Sequence, residues 1–222
     1  SQNLLPPSLS LNLPSMKSFL ILFLSSLVFA KPVPPEILKK FQTSWDETKK
    51  YSAAFKQTVT SKTLGSKEES EGSLDVVKPG KLRWNSNSDM SSQILNGKKF
   101  MSLRLNARKK TRSVEIYKDV SAMVDMKALD FLADGVQFAK VYKLELLSQT
   151  PEIIKLKLTP KEKRPEFYIA EIDKKSYVLS SLTTETPDST VKMVFTGIQV
   201  NPQIDEKIFE YEPNPTDVVT QH

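Results

Sequence analysis

Histidine occurs once in the 222 residues, at His222, and cysteine does not occur at all. A Ser-His-Asp or Cys-His arrangement is therefore excluded unless the terminal imidazole serves as its base. Imidazole and thiolate cannot supply a metal cluster, and the acidic pairs lack the spacing of a calcium loop. Six scattered glycines form neither a phosphate loop nor a dinucleotide fingerprint. Paired carboxylates are formally available, as at Glu68 and Glu69, but two acids among 26 meet by chance in any fold. The residue types argue for binding without covalent chemistry, and no cofactor is called for.

The elements that would position a binding surface centre on Glu71 to Trp84. Leu74 and Val76 alternate with Ser73 and Asp75, Pro79-Gly80 breaks the run, and Leu82 and Trp84 resume it. Proline fixes φ and glycine accepts positive φ, so Pro-Gly suits the centre of a tight turn between two strands. The hairpin offers a large apolar surface, of which Trp84 alone buries roughly 200 Å².

The rest of the chain repeats this texture. Pro35 to Lys50 carries Ile37, Leu38, Phe41 and Trp45 at helical spacing, with charged residues opposite. Strands are predicted near 51–60, 69–78, from 81, 91–95, 98–105, 111–117, 139–148, 153–158, 167–173, 177–184 and 190–200. Asn96-Gly97 marks a hairpin. Val120 to Gly135 reads as a second helix, capped by Ser121 and Gly135, with Val124, Leu129 and Leu132 inward. Lys31 to Pro35 and Ile208 to Pro213 read as extended segments. About eleven antiparallel strands with two helices on one side make an α+β domain of two layers.

Met16-Lys17, the uncharged run Ser18 to Phe29 and the small residue Ala30 fit a secretory leader at 16–30, too short in its apolar core to span a membrane. Residues 1–15 precede that methionine and read as a non-native upstream extension, with a real disordered extension as the other reading. A single mature domain, 31–222, is expected. An exported chain without cysteine relies on its core rather than disulfides, and has no site for a lipid anchor. Removing Lys17 with the leader lowers the formal charge of +6 by one. Both signs are mixed along the chain, which disfavours nucleic acid. The densest basic run, Arg108-Lys109-Lys110-Thr111-Arg112, reads either as a solvated turn or as a contact for an acidic partner or anionic headgroups.

Phe55-Lys56-Gln57-Thr58, Glu71-Gly72-Ser73-Leu74, Lys78-Pro79 with Leu82-Arg83-Trp84, Asn96-Gly97-Lys98 and Phe209-Glu210-Tyr211-Glu212-Pro213 stand in the order seen in the LolA family, periplasmic carriers of outer-membrane lipoproteins. The chain resembles that family over nearly all of 31–222. The resemblance implies an incomplete (half) antiparallel β-barrel with helices covering the concave face. It also implies a monomeric periplasmic carrier whose partners are acylated lipoproteins, an inner-membrane ABC lipoprotein-release complex and an outer-membrane receptor lipoprotein of the LolB type. Carriage of a glycolipid or other free lipid, and a periplasmic sensor or regulatory module, are the alternatives.

Such a carrier needs no catalysis. Each methylene kept from water contributes ~0.8 kcal/mol, so a sixteen-carbon chain costs on the order of 12 kcal/mol to expose. Phe55, Leu74, Val76, Leu82, Trp84, Phe100, Ile154, Leu156, Met193 and Phe195 are the candidate acyl-chain lining, with simple core packing as the other reading of each. Family members place a basic residue, usually arginine, before the hairpin proline, where it bonds the lid. Lys78 stands there and is the candidate lid latch, with a flexible ammonium in place of a planar fork.

Overall fold

The computed structural model describes residues 31–119, 132–133 and 136–222. The leader at 16–30, the extension before it, and most of the helix expected at 120–135 lie outside the described residues.

Pro35–Glu47 forms α1, with Pro35 in the first turn, where a missing N–H costs nothing. Ile37, Phe41 and Trp45 are its buried stripe. The strands are Lys31–Pro32 (β1), Lys50–Ser61 (β2), Lys67–Val77 (β3), Lys81–Ser86 (β4), Ser91–Asn96 (β5), Lys99–Asn106 (β6) and Thr111–Tyr117 (β7). After the short helix α2, Phe138–Val141, come Tyr142–Gln149 (β8), Ile153–Pro160 (β9), Phe167–Asp173 (β10), Leu179–Glu185 (β11), Ser189–Val200 (β12) and Val218–Gln221 (β13).

All belong to one sheet in the order β1-β8-β9-β10-β11-β12-β2-β3-β4-β5-β6-β7-β13. Two antiparallel meanders are joined where β12 pairs with β2, Phe195 opposite Phe55. The sheet does not close, since β1 ends one edge and β13 the other. The eleven strands expected from the sequence correspond in order to β2–β12. Two short edge strands are added, of which β13 pairs parallel with β7.

Three local expectations are corrected. Ala139 to Val141, read as the start of a strand, belongs to α2, whose first N–H is taken by a side chain of α1. Glu206–Phe209, whose last two residues fall in the Ile208 to Pro213 segment expected to be extended, is a 3-10 turn in which the Asp205 side chain accepts from Lys207 N. The turn after β3 has three residues, Lys78 to Gly80, because Val77 pairs with Lys81.

The sheet carries a core on each face. On the covered face, Leu74, Val76, Leu82 and Leu95 pack with Phe55, Ile154, Leu156 and Met193 beneath α1. On the opposite face, Ile94, Met101, Leu103 and Val114 form a smaller cluster sealed by Phe209. Alternation along each strand delivers both, because neighbouring residues point to opposite faces.

Candidate functional site

The covered face assembles the ten lining candidates. Phe55, Leu74, Val76, Leu82, Trp84, Phe100, Ile154, Leu156, Met193 and Phe195 all join one apolar cluster, and Trp84, the most exposed of them, is 7% accessible. The Phe55 and Trp84 rings lie with centroids 3.8 Å apart. Gly72, opposite Phe55 in the register, makes this approach possible. A Cβ at that position would stand 1.8 Å from the Asn85 carbonyl oxygen and 2.9 Å from the Phe55 ring.

Above the sheet, Phe41 stacks on Phe138 at 4.5 Å, and Trp45 meets the edge of Phe138 at 5.4 Å. The aromatic stripe of α1 is thus core, shared with α2. Leu132 and Ala133 are buried in the same cluster. Among the described residues, the space left beside Trp45, Tyr51, Val76, Lys78 and Leu132 is about 20 Å³. That is room for about one water, against the roughly 300 Å³ or more of a ligand pocket. The candidate lining is brought together and packed against its own cover.

Among the described residues, specific polar contacts hold the cover. Gln42 Nε2 donates to Asp46 Oδ1 and to the Val136 carbonyl, each at 2.9 Å, while Gln42 Oε1 accepts from Phe138 N at 2.9 Å. Gly80 N donates to the Ala133 carbonyl at 3.0 Å. Asn201 ties the end of α1 to the sheet. Its Nδ2 donates to the Glu47 carbonyl at 3.1 Å, and its Oδ1 accepts from Lys49 N and Lys50 N at 2.8 and 3.0 Å. Thr48 Oγ1 also donates back to the Ser44 carbonyl at 2.7 Å, closing the last turn of α1.

Lys78 enters this cover from the β3–β4 turn, next to a cis bond to Pro79. Its ammonium donates to the Trp45 carbonyl at 3.0 Å and lies 3.5 Å from the indole centroid. A cation there complements the negative end of α1. Burial pushes the Lys78 ammonium down to about 7, opposed by the attraction of Asp46 and assisted by the repulsion of Lys49. The ammonium therefore reaches α1, whereas the 132–133 segment is held by the backbone of Gly80. Nearby, Tyr51 Oη donates to the Leu179 carbonyl at 3.1 Å, and burial raises its phenol above the ordinary range.

Sequence reasoning missed Gln42, Asn201 and the second core. The amides carry no pattern of their own, since their partners other than Asp46 lie 94 to 154 residues away. The second core did leave a signal: the apolar doublets Ile94-Leu95 and Phe100-Met101 require both faces of β5 and β6 to be covered. Among the described residues no group of three or more His, Cys, Asp or Glu is gathered to hold a metal. No helix there is long and apolar enough to cross a membrane.

Comparison with known proteins bears on this arrangement. The family model described as outer membrane lipoprotein carrier protein LolA matches residues 46–212. An outer-membrane lipoprotein carrier protein of Chromobacterium violaceum is 25% identical over 186 residues, covering 83% of this chain and 87% of that protein. Its namesake in Nitrosomonas europaea is 22% identical over 204 residues, covering 87% and 93%. The solved structure of a LolA superfamily protein from Nitrosomonas europaea is similar with a TM-score of 0.42 at 8% identity, over 79% of this chain and 96% of that one. With three quarters of its length matched by the family model, the chain belongs to the LolA family of outer membrane lipoprotein carrier proteins.

Proposed function

We propose that this protein is a periplasmic chaperone that shields the acyl chains of lipoproteins between two membranes. It takes them from an inner-membrane ABC lipoprotein-release complex and hands them to an outer-membrane receptor lipoprotein of the LolB type. One observation supports the reading above all: ten apolar side chains from both meanders form one continuous face, covered by α1 and α2, with Gln42 and Lys78 among the residues that hold the cover. Acyl chains replace the cover's side chains on that face, so the apolar area buried is kept while the partner changes. Lys78 acts as the latch on α1, and the leader at 16–30 exports the chain.

The test incubates the protein with a triacylated lipoprotein in detergent-free buffer and separates the mixture by ultracentrifugation. Lipoprotein that stays in the supernatant, bound one to one, is the expected result. Lipoprotein that sediments as it does alone removes the carrier role. Mass spectrometry of material extracted from purified protein identifies the cargo, and a glycolipid or free fatty acid in place of an acylated cysteine overturns the lipoprotein assignment.

A further inference from the structure

On the face opposite the cover, a cleft of about 150 Å³ opens between β4–β7 and the C-terminal segment. Its walls are Arg83, Ser92 and Arg112, with Tyr211 at one side and Met90, Leu103 and Leu105 as its apolar part. Among the described residues no carboxylate lines it. Arg83 spends Nε on Asn85 Oδ1 at 3.0 Å and Nη1 on the Ile208 carbonyl at 2.8 Å. Arg112 donates from Nη1 to Tyr211 Oη at 2.8 Å, and its guanidinium carbon is 5.3 Å from that ring. All three acceptors are neutral, and among the described residues neither arginine forms an ion pair. Asp75, opposite Arg83 in the register, accepts from Ser52 Oγ, and Asp217, engaged by the Tyr211 hydroxyl and by Asn214 N, is held low by these bonds and in part by the Arg112 charge. A guanidinium offers five donors in a fixed fork, so both retain donors and full charge at a partly buried cleft.

Two further features give the occupant its character. Leu105 and Met90 are exposed at 37% and 49%, joined through Leu105 N donating to the Met90 carbonyl at 3.1 Å. Immediately beyond Leu105, the β6–β7 turn carries Arg108, Lys109 and Lys110, all exposed. An anion held by two forks, an apolar rim and a row of basic residues beside it match an oxyanion joined to an apolar body at a negatively charged surface. We propose that this cleft is a docking site for the phosphodiester headgroup of an anionic phospholipid, which sets the protein against a membrane surface by the face that does not hold acyl cargo. The basic turn, which the carrier reading leaves without a role, supplies the attraction, and the two arginines supply the seat.

Vesicles of phosphatidylglycerol mixed with phosphatidylcholine are sedimented with the full chain, beside vesicles of phosphatidylcholine alone. Binding to the first and not the second, weakening as salt rises, is expected. Equal binding to both, or to neither, overturns the proposal. Neutralising one surface charge lowers partition about fivefold. Lys110→Gln should fall by that factor or less, whereas Arg112→Gln, which keeps a donor for Tyr211, should fall further. Equal losses reduce the cleft to a diffuse patch and overturn the seat. The exposed variant Leu105→Asn spares the fold and should also weaken binding, and unchanged partition there counts against the apolar rim. Calorimetry with inorganic phosphate is the remaining arm: phosphate bound in the absence of any vesicle binding overturns the lipid assignment.

Discussion

Lys78 Nζ hydrogen-bonds the Trp45 carbonyl at 3.0 Å and lies over the ring of the same tryptophan at 3.5 Å, so one ammonium grips both the backbone and the side chain at the end of α1. Burial opposes the charged form, the attraction of Asp46 favours it and the repulsion of Lys49 opposes it further, leaving the ammonium at about 7.

A pH dependence of the cover follows. Unfolded, Lys78 titrates near its ordinary 10.5, so between about 7 and 10.5 the unfolded chain binds more protons than the folded one. Stability then rises with pH across that window, and the cost of the buried charge is fully present below about 7. Urea midpoints measured from pH 6 to 10 should show this rise, and Lys78→Met should remove it. A wild-type slope retained in Lys78→Met assigns it to another group.

Gln42 is the second hold on the cover, and its loss should be local. Gln42→Leu leaves the Val136 carbonyl and the Phe138 N–H without their partner, at a cost of about 1–3 kcal/mol for each group that water does not reach. Amide hydrogen exchange at Phe138 should accelerate by one to two orders of magnitude, while β10 and β11 amides keep their protection. Uniform acceleration across the sheet would show instead that Gln42 supports the global fold.

These two holds also mark the limit of what the sequence discloses. Strand alternation and turn residues are local, and they disclose β2–β12 and put all ten lining candidates on one face. Phe55 and Met193 become neighbours through the β2–β12 pairing, whose period-2 pattern is legible on each strand separately. Gln42 and Asn201 act through single amides across long chain separations, so no local period reports them. Ala139 to Val141 failed for a related reason: three residues are too few to show a helical period, and the bond from Phe138 N to Gln42 starts that turn. The edge strands depend on pairing alone, Lys31 with Leu146 and Val218 with Ser113.

Gly72 should tolerate no side chain. The Asn85 carbonyl oxygen, 1.8 Å from where a methyl would stand, is backbone of the paired strand and cannot turn aside without parting β3 from β4. Gly72→Ala should cost about 3 kcal/mol and shift Trp84 fluorescence as the Phe55 stack opens. Gly65, with φ at +65° and no heavy atom within 4 Å of a new Cβ, is the control. Gly65→Ala should cost about 1 kcal/mol, from backbone strain alone. Equal urea midpoints for the two variants would remove the close-approach account.

The two tryptophans in the chain are placed to test the proposed cargo site, because Trp45 sits in the cover and Trp84 on the sheet beneath it. A fatty acyl chain brominated near its middle quenches indoles at contact distance, and among the described residues the space beside Trp45, Tyr51 and Val76 holds about one water. Entry of a chain beside Trp45 therefore requires α1 to move from the sheet. Titration with brominated acyl-cysteine peptide should quench both Trp45→Phe and Trp84→Phe proteins, since each retains one indole on the occupied face. Lys78→Met should bind the same probe with a changed rate, because α1 then lacks its ammonium hold. Quenching of Trp45 with Trp84 untouched would place the chain outside the sheet's apolar face, and would remove Phe55, Leu74 and Leu82 from the lining.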